Sequence, residues 1–395
     1  MRRGLAVLCA ALVLVSLLAQ ALPGAKAEAY RTLSVGDRGQ DVVNLKKRLY
    51  ALGYFTNASF GDSYTKNTAE KIRKFASKYG IDSEDATPEV QEWLFADDAR
   101  PETYVPMTGP ASVGPTASPD LPALDEDGTL ADKSAAPFRY KNEEDGLWLY
   151  ISSTLSVEIR RFDDRIDNLM WFETRVRLSG GNRIRTIFSD ESRSGKRFAK
   201  PLAIVEAHQP VLAFSDDFFG WRRSSRDVEG VVIREGTVYS DKTRSNRKFP
   251  PLDVMAALPD GSLKTFLSDE HSAQEYLDMG VQNTWAFGPI LVKDGVIADA
   301  LVAEAAVSQQ PRQAMGMLAP NDYMFLTVLG RRKDSDGATV RWLAGRMAGL
   351  GVQEAINLDG GNSVMLVFDG EMINKVKNIS SSSIRDMVSM IAFTD

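Results

Sequence analysis

The proline-rich stretch over residues 100–137 constrains the fold of this chain most, because the hydrophobic pattern differs on its two sides. Prolines recur there among threonine, serine, alanine and glycine, and hydrophobic periodicity is absent. Such a composition buries too little apolar surface to offset the conformational entropy that folding removes. The sequence therefore predicts a semi-extended linker over residues 100–137 that joins two domains.

The segment 31–99 has the pattern of a small helical domain. Apolar residues recur at helical spacing over 42–52, and Gly53 suits the left-handed position that ends many helices. A second apolar face runs over 69–79, with Thr65 or Asn67 as its cap, and Thr87-Pro88-Glu89 has the pattern of a third helix start. We expect three helices in this domain.

The segment 138–395 has mainly strand patterns. Alternation with aromatic and β-branched enrichment, or a short apolar run, predicts strands over 148–151, 155–162, 171–178, 211–214, 231–233 and 254–258. Helical patterns are fewer, over 199–209, 273–279 and 340–350. The predicted fold class is α+β, with a mostly antiparallel mixed sheet and flanking helices beside the small three-helix N-terminal domain.

Residues 1–27 have the pattern of a secretory signal peptide. A basic start precedes an apolar run from Leu5 to Leu22, and Ala25-Lys26-Ala27 forms a small-x-small cleavage site. An uncleaved anchor is the alternative, because the run approaches the length that spans a bilayer. Pro23 and the cleavage pattern favour removal, so we expect a secreted or extracellular protein with no transmembrane segment after cleavage.

Cysteine content and charge exclude several function classes. The single cysteine, Cys9, lies in the predicted signal, so the mature chain would have no disulfide, thiolate metal site or cysteine nucleophile. Loss of Arg2, Arg3 and Lys26 would change the formal net charge from −6 to −9. An acidic protein without a basic stretch is a poor candidate for nucleic-acid binding.

The sequence predicts neither a metal site nor a cofactor. His208 and His271 are the two histidines, and neither lies in a polar cluster. The carboxylates could hold Ca²⁺ or Mg²⁺, but no loop has a ligand spacing that argues for either ion.

Four polar clusters lie where apolar strands of the second segment stop or start. They are Ser215-Asp216-Asp217-Phe218, Phe287-Gly288-Pro289, Gln310-Pro311-Arg312-Gln313 and Asn357-Leu358-Asp359-Gly360-Gly361-Asn362-Ser363. Arginine forks onto phosphate or carboxylate, and carboxylates serve as acids, bases or nucleophiles in sugar chemistry. These residue types predict a site for an anionic, hydroxyl-rich substrate.

Each cluster also has a structural interpretation. Residues 357–363 could end a strand in a type I′ hairpin turn, since Asp-Gly and Gly-Asn are common turn residues. Asp216 and Asp217 could cap a turn, with Arg312 pairing with one of them. The sequence alone leaves both interpretations open.

The N-terminal segment resembles the three-helix peptidoglycan-binding domain of bacterial cell-wall enzymes. The resemblance lies in Leu33-Ser34-Val35-Gly36-Asp37-Arg38-Gly39, Leu49-Tyr50-Ala51-Leu52-Gly53-Tyr54 and residues 94–101. It implies cell-wall glycan or peptidoglycan as a partner. Lys46 and Ala76 stand where that family usually has glutamine, and a helical spacer that binds nothing is the alternative.

The second segment resembles the phosphodiester glycosidase family over about residues 140–395. The motifs are residues 213–220, 286–295 and 310–316, and Ile356-Asn357-Leu358-Asp359-Gly360-Gly361. The resemblance implies hydrolysis of a sugar C1–O–phosphate bond that leaves the phosphate on the other partner. The substrate would be a sugar phosphodiester of a wall or extracellular glycan.

The resemblance also implies roles for the clustered residues. Arg312 would clamp the phosphate, Asp359 would act at the anomeric carbon, and Asp216 or Asp217 would bind sugar or act as a second acid. The implied substrate-binding residues are Asn357, Gly360, Gly361, Ser363, Ser215, Phe218 and Gly288.

Four polar positions depart from the family pattern. Ser215 replaces asparagine, Gln313 replaces threonine, Asn362 replaces glycine, and Ser382 replaces an arginine. Arg385 lies three positions after Ser382, and a three-residue shift on a strand changes the face that a side chain presents, so we expect it to be a poor substitute.

The sequence thus predicts a secreted, cell-wall-associated bacterial hydrolase that cleaves sugar-1-phosphodiesters. The alternative is a non-catalytic glycan-binding or exopolysaccharide-assembly protein that keeps the pocket and has lost turnover.

Overall fold

The computed structural model describes residues 30–55, 60–96, 99, 112–165, 167–193, 196–217, 230–242, 252–298, 308–374 and 384–395. The predicted signal peptide, Phe218 and Ser382 lie outside these residues. No helix in the described part of the chain is long and apolar enough to cross a membrane.

The N-terminal segment contains the three predicted helices, α1 (Gln40–Ala51), α2 (Lys66–Ser77) and α3 (Pro88–Phe95). Thr65 and Thr68 form a capping box at the start of α2, and Thr87 caps α3 with proline in its first turn. The apolar faces meet in one core, in which Leu45, Phe75 and Leu94 are fully buried. The prediction of a small helical region is confirmed.

Lys46, one of the two departures in this segment, has a structural role. Its side chain is buried, and its ammonium donates hydrogen bonds to the carbonyl oxygens of Gly61 (3.1 Å) and Ser63 (2.6 Å). Burial lowers the pKa of Lys46 because desolvation disfavours the charged form. The lysine therefore ties α1 to the loop before α2.

The C-terminal segment is built mainly from strands, as predicted. The strands are β1 (Ser112–Val113), β2 (Phe138–Asn142), β3 (Leu147–Ile151), β4 (Leu155–Asp164), β5 (Leu169–Leu178), β6 (Arg185–Phe188), β7 (Leu212–Ser215), β8 (Gly230–Arg234), β9 (Thr237–Lys242), β10 (Asp253–Ala257), β11 (Leu263–Phe266), β12 (Asn283–Phe287), β13 (Ile290–Lys293), β14 (Val296–Ile297), β15 (Arg312–Ala319), β16 (Asp322–Val328), β17 (Glu354–Leu358), β18 (Leu366–Phe368), β19 (Glu371–Met372) and β20 (Ser389–Phe393). The helices are α4 (Pro201–His208), α5 (Ala273–Asp278) and α6 (Val340–Gly349), and Gly361–Ser363 forms a 3-10 turn.

These strands form four sheets, and every pairing among the described strands is antiparallel. The largest sheet has ten strands in the order β14-β13-β17-β15-β16-β5-β4-β3-β2, with β1 paired to β4. The smaller sheets are β19-β18-β7-β20-β6, β11-β10-β12 and β8-β9. The α+β class is therefore confirmed, with antiparallel pairing throughout the described part.

The large sheet is covered on both faces, because its central strands carry apolar side chains on each side. One face packs against the five-stranded and three-stranded sheets, and Phe214, Phe325 and Phe393 lie at that interface. Phe214 and Phe325 stack with ring centroids 4.1 Å apart. The other face packs against α6 through Leu343, Ala344 and Met347. The central strands are thus held rigidly, as are the residues at their ends.

The second part of the predicted semi-extended linker over 100–137 lies against the C-terminal segment. From Ser112 the chain pairs with β4, and the backbone N–H of Thr116 donates to the carboxylate of Asp145 (3.0 Å). Further on, the N–H of Leu130 donates to the carbonyl of Ser152 (2.8 Å), and the Leu130 side chain is buried. Polar contacts to the backbone hold this segment on the domain, which its composition does not reveal.

The stacked phenylalanines give a test of this packing. Phe325→Ala should lower the free energy of unfolding by about 3–5 kcal/mol, since it removes a fully buried ring and leaves a cavity. Leu202→Ala is the control, because Leu202 is 42% exposed on α4 and should stay within about 0.5 kcal/mol of the wild type. Urea unfolding followed by tryptophan fluorescence measures both, and equal effects would contradict the packing described.

Candidate active site

The loop after β17 carries the strongest of the predicted motifs. Every residue of β17 is buried, and Asp359 follows it with 8% of its surface exposed. A Cβ atom at Gly360 would lie 2.6 Å from the carbonyl oxygen of Pro311, and Gly361 has a φ of +62°. The N–H of Gly361 donates to that same oxygen (2.9 Å). The two glycines therefore let the loop fold directly against the start of β15.

The hairpin interpretation of this motif is wrong. After the turn, the chain enters β18, which pairs with β7 and β19 rather than with β17. The motif thus connects the large sheet to the five-stranded sheet. Asp359 and Ser363 lie at the point where the chain crosses between them.

Arg385 binds this loop, contrary to the expectation from its sequence position. Its guanidinium Nη1 donates to Asp359 Oδ2 (3.1 Å) and to Ser363 Oγ (2.9 Å). Its backbone N–H donates to the carbonyl of Asn362 (3.3 Å). The expectation failed because Arg385 precedes β20, which begins at Ser389, so strand alternation does not govern its direction.

Two further arginines lie near the loop. Arg312 donates from Nε to the carbonyl of Ala338 (3.2 Å) and from Nη2 to the carbonyl of Ser308 (2.9 Å). Arg331 donates from Nε to Gln310 Oε1 (2.8 Å) and from Nη1 to Asn362 Oδ1 (3.2 Å). Neither guanidinium has a carboxylate within 4.0 Å among the described residues.

The lack of a described carboxylate within 4.0 Å of Arg312 and Arg331 has an electrostatic consequence. Burial and the neighbouring charge of Arg331 lower the pKa of Arg312. Two cations close together without an acidic partner favour the approach of an anion, and guanidinium groups match the geometry of phosphate. Arg312 therefore does not pair with Asp216 or Asp217, contrary to the structural interpretation of these clusters.

The sequence did not identify Arg331 as a site residue, and it gave Asn362 no role in the site. Arg331 has a left-handed backbone with a φ of +58°, which an arginine adopts at a cost in strain. Asn362 stands where the family pattern has glycine, and its side-chain oxygen accepts a hydrogen bond from Arg331. This departure thus helps to position the second arginine.

Asp216 and Asp217 lie in a buried ionic cluster with Arg234. Asp217 Oδ1 is 2.7 Å from Arg234 Nη2, and Asp217 Oδ2 accepts the backbone N–H of Ala286 (2.7 Å). Asp216 Oδ2 accepts from the hydroxyl of Ser389, and its backbone oxygen accepts from the N–H of Asp359 (3.4 Å). Both oxygens of Asp217 are occupied and its side chain is fully buried, so this geometry favours a supporting role for Asp217.

Ser215 and Gln313, two of the departures, face the interior. The hydroxyl of Ser215 accepts the N–H of Met365 (3.3 Å) between β7 and β18. Gln313 is fully buried and its Oε1 accepts from the hydroxyl of Thr327 (3.0 Å). Phe218 lies outside the described residues, so its predicted role in substrate binding stays a prediction.

Asn357 and Gly288 bind each other near the same edge. Asn357 Nδ2 donates to the carbonyl of Gly288 (2.9 Å), and the N–H of Gly288 donates to the carbonyl of Asn357 (3.0 Å). The side-chain oxygen of Asn357 is buried and has no hydrogen-bond partner among the described residues. Buried acceptors are seldom left unpaired, so this oxygen leaves one hydrogen-bond position for a water molecule or a substrate group.

Asp253, at the start of β10, is a carboxyl group that sequence reasoning missed. Its Oδ2 accepts the N–H of Ile290 (3.0 Å), and a Cβ atom at Gly288 would lie 3.2 Å from the same oxygen. Burial raises the pKa of Asp253, because the charged form loses hydration. A carboxyl group of this kind can hold a proton at a higher pH than an exposed one.

The structure therefore brings Asp359, Ser363, Arg312, Arg331 and Arg385 around a single loop. Asp216, Asp217 and Arg234 lie behind that loop, and Asn357 and Gly288 lie beside it. No group of three or more His, Cys, Asp or Glu side chains in the described ranges is arranged to hold a metal ion.

Residues 208–394 match the family model described as phosphodiester glycosidase. A curated relative, the SPbeta prophage-derived uncharacterized protein YomE of Bacillus subtilis (strain 168), is 28% identical over 179 residues. That match covers 45% of this chain and 27% of the relative, so the chain spans about a quarter of the relative's length.

Two solved structures are similar at low sequence identity. The catalytic domain of zebrafish N-acetylglucosamine-1-phosphodiester alpha-N-acetylglucosaminidase, auto-inhibited by its pro-peptide, is 15% identical with a TM-score of 0.48, covering 62% of this chain and 84% of that one. A hypothetical protein from Synechocystis is 13% identical with a TM-score of 0.42, covering 61% of this chain and 62% of that one. The family-model match shows that residues 208–394 of this chain are similar to the phosphodiester glycosidase family.

Proposed function

We propose that the protein is a hydrolase that cleaves the glycosidic bond of sugar-1-phosphodiesters. The observation that carries the proposal is the pair of arginines, Arg312 and Arg331, which lie beside the Asp359 loop with no acidic partner among the described residues. The family suggests phosphodiester-linked sugars as the class of substrate. A phosphodiester carries one negative charge, which two guanidinium groups can receive.

The proposed reaction breaks the bond between the anomeric carbon and the phosphate oxygen. Water adds to the anomeric carbon, and the phosphate leaves with the other partner as a monoester. Negative charge on the phosphoryl oxygens grows as the bond breaks, so donors fixed in advance stabilise the transition state more than the ground state. Arg312 and Arg331 would supply these donors.

Asp359 is the carboxylate that we propose to act at the anomeric carbon. Arg385 and Ser363 orient it, since Arg385 Nη1 bonds to both side chains. Asp253, whose pKa burial raises, is the candidate for proton donation at the same edge. The side-chain oxygen of Asn357 would accept a sugar hydroxyl.

A non-catalytic role in glycan binding or exopolysaccharide assembly is the second candidate. The ion pairs of the predicted catalytic acids favour this function. Asp217 is fully buried in an ion pair with Arg234, and Asp359 is paired with Arg385. In that case the arginine pair would bind a glycan phosphodiester without turnover.

We also propose that the protein is secreted and that its N-terminal domain contacts cell-wall glycan. The support for glycan contact is an exposed aromatic surface in which Trp93, 43% exposed, stacks on Tyr79 with ring centroids 4.7 Å apart. Flat aromatic faces pack against the apolar faces of sugar rings. The apolar N-terminal pattern over residues 1–27 supports secretion.

The arginine pair gives the first test of hydrolysis. Arg331→Gln and Arg312→Gln should each lower kcat/KM for a sugar-1-phosphodiester by about 10²-fold or more, as removal of a transition-state donor does in other enzymes. Release of free sugar measures this effect. Arg332→Gln is the matched control, because Arg332 is the next residue and pairs with Asp334 (2.7 Å). Equal loss in all three variants, or no loss at Arg331, would contradict the assignment.

Asp359 gives a second test, which separates the two candidate functions. Asp359→Asn should reduce sugar release by more than about 10³-fold while leaving saturable binding of the phosphodiester, since the amide keeps the shape but cannot act as nucleophile or base. Full hydrolysis by the variant would remove Asp359 from the mechanism. Binding without release by the wild-type protein would support the non-catalytic function.

Asp253 gives a test by pH. Because its folded pKa is raised above the unfolded value, its ionisation favours the unfolded state, and stability falls as pH rises from about 4 through the folded pKa. Asp253→Asn lacks this titration and keeps an acceptor for the N–H of Ile290. The melting temperature of the variant relative to the wild type should therefore increase between pH 4 and 8. A difference that does not change with pH would count against a perturbed carboxyl.

A further inference from the structure

A cavity lies at the other end of the large sheet from the candidate active site. Its volume is about 750 Å³, within the range of ligand-binding cavities. β15 runs from Arg312 at the active site to Ala319 at this cavity, which at the rise of a strand is roughly 25 Å. The described lining contains none of the residues that form the candidate active site.

The walls of this cavity are rigid. They include the tip of the β10–β11 hairpin, the tip of the β15–β16 hairpin and the turn after β5. The N–H of Asn321 donates to the carbonyl of Gly261 (2.9 Å), and the hydroxyl of Tyr323 donates to the same oxygen (2.7 Å). The N–H of Leu178 donates in turn to the carbonyl of Asn321 (2.9 Å). These bonds tie the three turns together, so the cavity is formed before any ligand arrives.

One arginine in the lining, Arg177, has no acidic partner among the described residues. Asp322 lies directly opposite Arg177 in the pairing of β5 with β16, but it binds Arg175 with both oxygens (2.9 and 2.5 Å). Arg183, also in the lining, pairs with Glu235 (2.9 Å). Arg177 has no carboxylate within 4.0 Å among the described residues, and its Nε is buried without a hydrogen-bond partner.

Gly128 holds this arginine in place. A Cβ atom at Gly128, where φ is +74°, would lie 1.8 Å from Nη1 of Arg177 and 2.9 Å from its Cζ. The guanidinium therefore rests on the Gly128 backbone and cannot swing away on that side. Arg177 is partly exposed, and a cation held in this position without a described acidic partner is suited to an anion, which would complete its bonding.

The remainder of the lining is suited to hydroxyl groups. Gln282 and Asn321 supply amides, and Glu126, Asp127 and Asp260 supply exposed carboxylates. Carboxylates would repel a bare anion but accept hydrogen bonds from sugar hydroxyls. A ligand with both hydroxyls and one negative charge satisfies the lining better than either a neutral sugar or a simple anion.

We infer that this cavity is a second binding site for an anionic saccharide, whose carboxylate or phosphate is received by Arg177. The inference does not depend on hydrolysis at the candidate active site. The volume accommodates a short oligosaccharide, and the rigid walls favour selection by shape as well as by charge.

The test uses the full-length mature chain with both Arg312→Gln and Arg331→Gln, so that the candidate active site does not contribute. Trigalacturonate is the probe, with maltotriose as a neutral saccharide and inorganic phosphate as a simple anion, and calorimetric titration measures binding. We expect saturable binding of trigalacturonate, at least tenfold tighter than of maltotriose or phosphate. Equal binding of all three, or no saturable binding of trigalacturonate, would overturn the inference.

Variants locate the site. Arg177→Gln should weaken trigalacturonate binding at least tenfold, whereas Arg160→Gln, on the neighbouring strand β4 and outside the cavity, should leave it unchanged. Gln282→Glu is a second variant that keeps Arg177, and its added negative charge on an exposed side chain should also weaken binding. Unchanged affinity in both cavity variants, with the fold checked by thermal unfolding, would show that the saccharide binds elsewhere.

Discussion

The buried ion pair between Asp217 and Arg234 is the interaction on which the architecture around the site depends. Asp217 lies two residues after the end of β7 in the five-stranded sheet, Arg234 ends β8, and the N–H of Ala286 in β12 donates to Asp217. Asp216, the adjacent residue, accepts the N–H of Asp359 from the end of the large sheet. Four sheets therefore converge on one pair of charges. Loss of one partner from such a pair costs about 3–5 kcal/mol, because the other charge stays buried without compensation.

Local patterns in the sequence predicted the elements, but they could not predict most of the contacts in the site. Helical spacing and strand alternation located the three N-terminal helices and the main strands, because these depend on neighbours within a few residues. The motif around Asp359 located the loop. Arg331 and Asp253 were missed because their importance comes from packing between distant segments, and Arg385 was misjudged because a loop does not follow strand alternation. The segment 114–137 looked unfolded by composition, since its order comes from hydrogen bonds to polar side chains and backbone.

The distribution of positive charge explains how an acidic chain can still bind anions. With a formal net charge of −6, the protein as a whole repels anionic polymers. Many surface arginines, such as Arg31 with Asp41, are neutralised by a nearby acid. Arg312, Arg331 and Arg177 lack such acids among the described residues. Contacts with neighbouring residues hold their side chains in place. Attraction is thus confined to a few positions, which favours selective over diffuse binding of anions.

The strand β15 gives these positions a fixed geometric relation. It lies in the middle of the large sheet, paired with β17 on one side and β16 on the other, so its length cannot change without breaking both ladders. The distance between Arg312 at one end and the cavity at the other is therefore fixed. A polymer that spans this interval would engage both ends as one bivalent ligand, and its second contact would form at high effective concentration. Shorter chains could occupy only one end. Longer polymers would therefore bind more tightly than shorter ones.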